Sequence, residues 1–167
     1  MAITLRPAHP MFVAEVEGVD MRELLSEELL ARIVRAADEY AVLIFRDQAI
    51  TDDQHVAFTS RFDRLETTIK ACRADFKGRL DPRLAAHAMR IEGMEIPEGR
   101  ILPRDLMEHA VQSRFVHTHR WRAGDMVMCD NRRTMHRACA YDPSEVREPR
   151  RTTVMEEAAS LLDAVTV

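Results

Sequence analysis

An amphipathic segment that leads directly into a short, wholly apolar one constrains the fold of this chain more than any other feature. From Ser26 to Tyr40 apolar residues recur at helical spacing, and Glu27 and Glu28 stand in the first turn, where carboxylates stabilise the positive end of the helix dipole. The next five residues, Ala41 to Phe45, read AVLIF and are typical of a strand that is buried on both faces. A helix followed at once by such a strand predicts a sheet that helices cover.

Further short elements are predicted on both sides of this pair. Up to residue 114 we expect two strands, at Ile3 to Leu5 and Phe12 to Val16. We also expect two more helices there: Asp52 to Arg61, which follows a Thr51 and Gln54 capping box, and Pro103 to Arg114, with Pro103 in the first turn. From residue 115 onwards we expect four strands, at Phe115 to Trp121, Met126 to Cys129, Thr134 to Tyr141 and Arg150 to Val154. In the first of these, alternation places His117 and His119 on one face. The predicted fold class is therefore α+β.

Length and composition exclude several classes of protein. The 167 residues fit one domain, and 46% hydrophobic residues with few glycines and prolines exclude collagen-like and low-complexity chains. The longest apolar run is far shorter than the roughly 20 residues that span a bilayer, so no membrane span is expected. The three cysteines are odd in number and form no CxxC pair, which argues against a disulfide framework or a zinc site. We therefore expect a cytoplasmic protein.

The basic residues are almost all arginine. The chain has 22 arginines against Lys70 and Lys77, and nine of the arginines fall between Arg114 and Arg151, where only five acids lie. The net charge of −4 argues against nucleic acid as a partner, whereas the guanidinium group matches carboxylate and phosphate geometry. This local basic region predicts a small anionic ligand.

Three side chains near the C-terminal end could form one pocket. His136 lies near the start of a predicted strand, and Arg147 and Arg151 differ by four residues, so on one extended strand their guanidinium groups face the same side. An imidazole on a metal ion, with a guanidinium on a distal carboxylate, suits a metal-bound ligand that carries carboxylates. The opposing interpretation of the two arginines is a solvated basic strand.

The residues from Trp121 onwards carry a resemblance to a known family. They read W-x-x-G-D-x-V-M-x-D-N-R-x-x-x-H, ending at His136, with Tyr141-Asp142 and an Arg eleven residues after the His. This string, here called the signature, resembles the C-terminal signature of the taurine and 2,4-dichlorophenoxyacetate dioxygenases, which are iron(II)/2-oxoglutarate-dependent oxygenases. The segments HPMFVAEVEGVDMRE, AVLIFRDQ and FDRLE resemble the N-terminal part of that family. The resemblance covers about residues 9–66 and 85–154.

The resemblance implies a fold, a reaction and a role for each of the three side chains. The fold would be a truncated double-stranded β-helix, or jelly-roll, with helices packed on one side. His136 would bind the metal ion, Fe(2+), Arg147 the distal carboxylate of the co-substrate 2-oxoglutarate, and Arg151 the anionic group of the substrate. The family reaction converts 2-oxoglutarate to succinate and CO₂ and hydroxylates and cleaves a small anionic organic substrate, such as an aryloxyalkanoate or an alkylsulfonate.

One half of the family's metal site is absent from the sequence. The family binds iron through a His-x-Asp/Glu pair and a distant His, but none of the seven histidines here is followed two residues later by Asp or Glu. We interpret the chain as a single domain over residues 1–167, internally shortened near residues 66–85, with weak or no dioxygenase activity. The strands lost with that block would leave sheet edges and core uncovered, which predicts homo-oligomers.

Two alternatives remain open at this stage. The first is a non-catalytic module for small-anion binding or oligomerisation that retains Arg147 and Arg151. The second concerns His117 and His119, which could form a two-histidine metal site with His136, or simply a polar strand face beside Trp121.

Overall fold

The structure is a computed structural model that describes residues 3–65, 93–140, 142, 144 and 149–154. Its elements are four strands, three helices and one 3-10 turn: β1 (Thr4–His9), β2 (Val13–Glu17), α1 (Glu27–Tyr40), β3 (Val42–Phe45), α2 (Asp52–Thr59), α3 (Ile96–Ala110), the 3-10 turn Ser113–Phe115 and β4 (Met126–Cys129). None of the described helices is long and apolar enough to cross a membrane.

The four strands form one mixed sheet in the order β1-β2-β3-β4. Strands β1 and β2 pair antiparallel, β2 and β3 pair parallel, and β3 and β4 pair antiparallel, so the parallel pair is connected through α1. In the central register Val16 lies beside Phe45, and Phe45 lies beside Met126. Strand β3 is thus an interior strand, as its apolar sequence predicts.

The core lies between this sheet and α1. Ser26 caps the helix, because its side chain accepts a hydrogen bond from the Leu29 amide, and Ala41 ends the helix in the left-handed conformation at φ 60°. Ile33 of α1 and Leu43 and Phe45 of β3 have no measurable exposure. They belong to one apolar cluster that also includes Phe58 of α2. The helix and strand predicted from residues 26–45 are confirmed.

The third helix begins earlier than predicted. Its first residue is Ile96, with Pro97 in the first turn, and Pro103 lies inside the helix. The predicted bounds, Pro103 and Arg114, were wrong. Both Pro97 and Pro103 suit the first turn of a helix, and the helix has Pro97 in that position. The helix ends at Ala110, so the residues up to Arg114 lie beyond it.

The later strands are the largest correction. Of the four predicted after residue 115, only β4 forms as a strand; residues 116–120 and 134–140 are irregular, and of residues 150–154 only Val154 forms a single bridge, to Leu65. Tyr141 lies outside the described residues. An alternating pattern describes which side chains are buried, but a strand also needs a neighbour for its backbone hydrogen bonds. The described part of the chain has an α+β architecture, with a mixed sheet and helices.

Candidate functional site

The structure describes two of the three predicted site residues. His136 is exposed within the irregular segment 134–140, and it has no hydrogen-bond or ion-pair partner among the residues that the structure describes. Arg151 is exposed within the segment 149–154, and Arg147 lies outside the described residues. The convergence of the three side chains in one cavity therefore stays a prediction.

The charge of Arg151 affects the thiol at the end of β4. Burial raises the pKa of the Cys129 thiol, and the charge of Arg151 opposes that rise, whereas Asp130 adds to it.

The segment that carries Arg151 is attached to α2. The hydroxyl oxygen of Thr152 lies 2.8 Å from that of Thr59 and 3.1 Å from Nε2 of His55. Arg150 donates a 2.7 Å hydrogen bond from Nη1 to Oδ1 of Asp52, and both of those side chains are more than half exposed. These contacts hold residues 150–152 along one side of the helix.

A cluster that the sequence did not predict lies at the C-terminal end of β3, next to Phe45, which pairs with Met126. Arg46 binds two carboxylates: Nη1 lies 2.6 Å from Oδ2 of Asp125, and Nε lies 2.9 Å from Oε1 of Glu15. The Asp125 side chain is 1% exposed, and its Oδ2 also accepts a 2.8 Å hydrogen bond from the Arg122 amide. We call Glu15, Arg46 and Asp125 the Arg46 cluster, and it joins β2, β3 and the turn before β4.

Two histidines lie against the Arg46 cluster. Nε2 of His119 is 3.1 Å from Oδ2 of Asp125, and the His119 ring meets Trp121 edge to face at 4.6 Å. Burial lowers the pKa of His117, and the nearby His119 and His9 lower it further. Both histidines are half-buried while residues 116, 118 and 120 are exposed, so the predicted shared face is confirmed although the strand is not.

This histidine face does not form a metal site with His136. Within the described ranges, no group of three or more His, Cys, Asp or Glu side chains could hold a metal ion. Instead, His119 is within hydrogen-bond distance of Oδ2 of Asp125. The other oxygen of that carboxylate, Oδ1, is buried and has no partner among the described groups. The structure favours the polar face over the two-histidine metal site.

Other residues of the signature stabilise turns. Gly124 has φ of 82°, which favours glycine, and its carbonyl accepts a 2.6 Å hydrogen bond from the Gln48 amide. The carboxylate of Asp130 binds the guanidinium groups of Arg132 and Arg133. Arg133 in turn donates 2.6 Å hydrogen bonds to the carbonyls of Asp38 and Ala37 at the end of α1. The signature is therefore attached to the N-terminal part of the fold at two turns.

The sequence profile of the family described as "Taurine catabolism dioxygenase TauD, TfdA family" matches residues 4–83 and 78–153. The chain belongs to this family. Two relatives match this chain over different lengths and at different identities. The alpha-ketoglutarate-dependent 2,4-dichlorophenoxyacetate dioxygenase of Cupriavidus pinatubonensis is 24% identical over 285 aligned positions, which cover 95% of this chain and 99% of the relative. The enzyme of the same name from a Burkholderia species is 49% identical over 72 residues, 43% of this chain and 24% of the relative.

Solved structures share the fold of this TauD/TfdA-family chain. AAD-2 in complex with Mn(II) and N-oxalylglycine superposes with a TM-score of 0.77 at 28% identity, covering 92% of this chain and 97% of AAD-2. A structure described as a putative alpha-ketoglutarate dependent 2,4-D dioxygenase from Burkholderia xenovorans has a TM-score of 0.82 at 24% identity, covering 95% and 99% of the two chains.

The possible metal ligands among the described residues do not fit a family metal centre. Two of the relatives are named for alpha-ketoglutarate, and the AAD-2 structure holds Mn(II). Here no group of three or more possible metal ligands includes His136 among the described residues, and the full sequence has no His-x-Asp or His-x-Glu. A single imidazole is too few ligands for a selective iron site.

Proposed function

We propose that the chain is one domain over residues 1–167, with a truncated jelly-roll fold that lacks an internal block near residues 66–85. Two observations support this. The alignment with the Cupriavidus enzyme extends over 285 positions, although the chain has only 167 residues. The family profile matches in two pieces that meet at residues 78–83, inside the region where the sequence predicts the missing block.

The proposed function is that of a dioxygenase-family protein for small anionic substrates. The family reaction hydroxylates and cleaves such a substrate while 2-oxoglutarate becomes succinate and CO₂, with Fe(2+) as the metal. The names of the relatives, which include a 2,4-dichlorophenoxyacetate dioxygenase and an (S)-phenoxypropionate/alpha-ketoglutarate-dioxygenase, favour an aryloxyalkanoate over an alkylsulfonate. Arg147 would bind 2-oxoglutarate, and Arg151 would bind the carboxylate of the substrate.

The chain by itself would have weak or no dioxygenase activity. The observation that carries this proposal is the absence of any His-x-Asp or His-x-Glu from the full sequence. His136 would be the only remaining family ligand, and it is exposed and without a described partner. A metal centre with open positions for a co-substrate needs several protein ligands in fixed geometry.

A second candidate function is a small-anion-binding module without catalysis. The position of Arg151 favours it, because this exposed guanidinium lies on a segment that is attached to α2. Among the described residues Arg151 has no carboxylate partner, and such a guanidinium is suited to bind a carboxylate from solution.

Calorimetry with 2-oxoglutarate separates the two functions. The module predicts 2-oxoglutarate binding that is the same with and without EDTA, and binding of 2,4-dichlorophenoxyacetate that weakens in Arg151→Met. Arg100→Met, which removes an exposed charge from α3, is the matched control and should bind as the wild type does. Binding that EDTA abolishes would overturn the module and support a metal-dependent site.

Self-association is part of the proposal. Helix α3 exposes several large apolar side chains, among them Ile96 at 63% and Leu106 at 53%. Exposed apolar surface of this kind promotes association. We propose a homo-oligomer located in the cytoplasm.

A further inference from the structure

Three side chains join α2 to the segment that carries Arg151. Thr59 donates a 2.8 Å hydrogen bond from its hydroxyl to the His55 carbonyl, one turn earlier in α2. The Thr152 hydroxyl oxygen lies 2.8 Å from that of Thr59 and 3.1 Å from Nε2 of His55. Thr59 is buried, with 8% of its surface exposed. We call His55, Thr59 and Thr152 the latch.

The number of protons fixes the direction of every hydrogen bond in the latch. A hydroxyl group donates one proton, and Thr59 donates its proton to the His55 carbonyl. Thr152 must therefore donate to Thr59, which leaves the oxygen of Thr152 as an acceptor for His55. Nε2 of His55 must carry a hydrogen, so the chain of donors begins at the His55 ring and ends at the His55 carbonyl.

The latch and its neighbours orient the segment. Arg150 and Thr152, two residues apart, both contact α2, and Arg151 lies between them in the chain. Val154 continues the attachment through its bridge to Leu65. The backbone on both sides of Arg151 is thus attached to other parts of the fold, while the Arg151 side chain stays exposed.

We propose that the latch is a positioning device: it holds residues 150–152 on α2 and so fixes Arg151 in the geometry that binds an anionic ligand. This inference rests on the proposed role of Arg151 in anion binding. Thr152 is a positioning residue, because its hydroxyl bonds to the protein and would act on the ligand only through its neighbour.

The attachment of residues 150–152 to α2 also depends on the protonation of His55. Burial lowers the pKa of His55, and Arg150 on the segment lowers it further, while Asp52 on α2 opposes the shift; these are the charged groups that act on the ring. Protonation is therefore less favourable in the attached state than in the released state. The attachment is strongest at neutral pH and weakens as pH falls through about 6.5, the usual pKa of histidine.

The test compares Thr152→Val with Thr152→Ser. Valine has a similar shape but no hydroxyl, whereas serine restores the donor and the acceptor. The latch predicts that Thr152→Val speeds amide hydrogen exchange at residues 150–154 and weakens binding of 2,4-dichlorophenoxyacetate about tenfold, since the loss of partly buried hydrogen bonds leaves their partners unsatisfied. Thr152→Ser should restore both, and the wild type should lose affinity between pH 7.5 and 5.5 more steeply than His55→Asn.

Separate results would overturn the two claims. Unchanged hydrogen exchange in a folded Thr152→Val would contradict the attachment, and faster exchange with unchanged affinity would contradict the positioning of Arg151. Failure of the wild type to bind 2,4-dichlorophenoxyacetate at all would refute the anion-binding role of Arg151, and with it the positioning claim, while hydrogen exchange would still decide whether the latch attaches the segment. Circular dichroism spectra and thermal unfolding of each variant distinguish local release from global unfolding.

Discussion

The guanidinium of Arg46 lies 2.6 Å from the carboxylate of Asp125, and this contact joins the end of β3 to the turn before β4. Glu15 binds the same guanidinium from β2. The aspartate of the Gly-Asp pair in the signature is thus a structural residue, which attaches the C-terminal part of the chain to the sheet. Such a contact explains why β4 pairs with β3 although about 80 residues separate them in the chain.

Removal of the Asp125 carboxylate should destabilise the fold strongly. Its side chain is 1% exposed, and Asp125→Ala would leave Arg46, which is 25% exposed, with Glu15 alone. Breaking a largely buried ion pair by removing one partner lowers the free energy of unfolding by about 3 kcal/mol. Urea unfolding measures the loss. Asp105→Ala, which removes an exposed pair with Arg104, is the control and should change stability by less than about 1 kcal/mol; equal losses would contradict the account.

Replacement of Arg133 by lysine should fail to preserve its contacts. The guanidinium donates to Asp130 and to the carbonyls of Ala37 and Asp38, a fork that one ammonium group cannot reproduce. Because the side chain is 41% exposed, we expect Arg133→Lys and Arg133→Ala to lower the free energy of unfolding by a similar amount, about 1 kcal/mol. Thermal unfolding at neutral pH tests this, and full stability of the lysine variant would refute it.

Stability should fall in mild acid. Burial lowers the pKa of both His55 and His117 below the usual histidine value, so the unfolded chain takes up protons at a higher pH than the folded chain. The two histidines therefore have little effect above about pH 6.5, and the free energy of unfolding decreases as pH falls below it. Urea titrations at pH 7.5 and 5.5 give the slope. A double variant, His55→Asn with His117→Asn, should show a smaller slope, and an unchanged slope would contradict the assignment.

The exposed face of α3 should control association. Leu106 is 53% exposed, and Leu106→Glu places a charge among the apolar side chains there. If these side chains form the contact between copies, the variant shifts the mass measured by light scattering towards the monomer. Arg100→Glu, on an exposed residue of the same helix, controls for added negative charge. A wild-type chain that is monomeric at high concentration would contradict the proposed homo-oligomer.

Short sequence patterns predicted the helices and strands that depend on interactions between residues close together in the chain. The apolar periodicity of α1 and the Thr51 and Gln54 capping box are both present, and the all-apolar β3 is the interior strand. The late strands were not predictable in this way, since residues 134–140 need a neighbouring strand that local sequence does not specify.

The Arg46 cluster was missed for a similar reason. Its two carboxylates come from Glu15 and Asp125, and no spacing rule connects residues so far apart in the chain. One signal was present in the sequence: an aspartate next to a turn glycine, directly before the apolar strand Met126–Cys129, is a polar group at the edge of the core. A buried charge at such a position requires a cation, and Arg46 at the end of the other apolar strand was available.

The central claim, that this family member lacks a working iron centre, is tested most directly by anaerobic titration of the purified chain with Fe(2+). The same sample is then assayed with 2-oxoglutarate and 2,4-dichlorophenoxyacetate in air. We expect no stoichiometric iron site, no succinate above the level with free iron, and no difference between the wild type and His136→Ala. One tightly bound iron per chain, with succinate formation that His136→Ala abolishes, would contradict it.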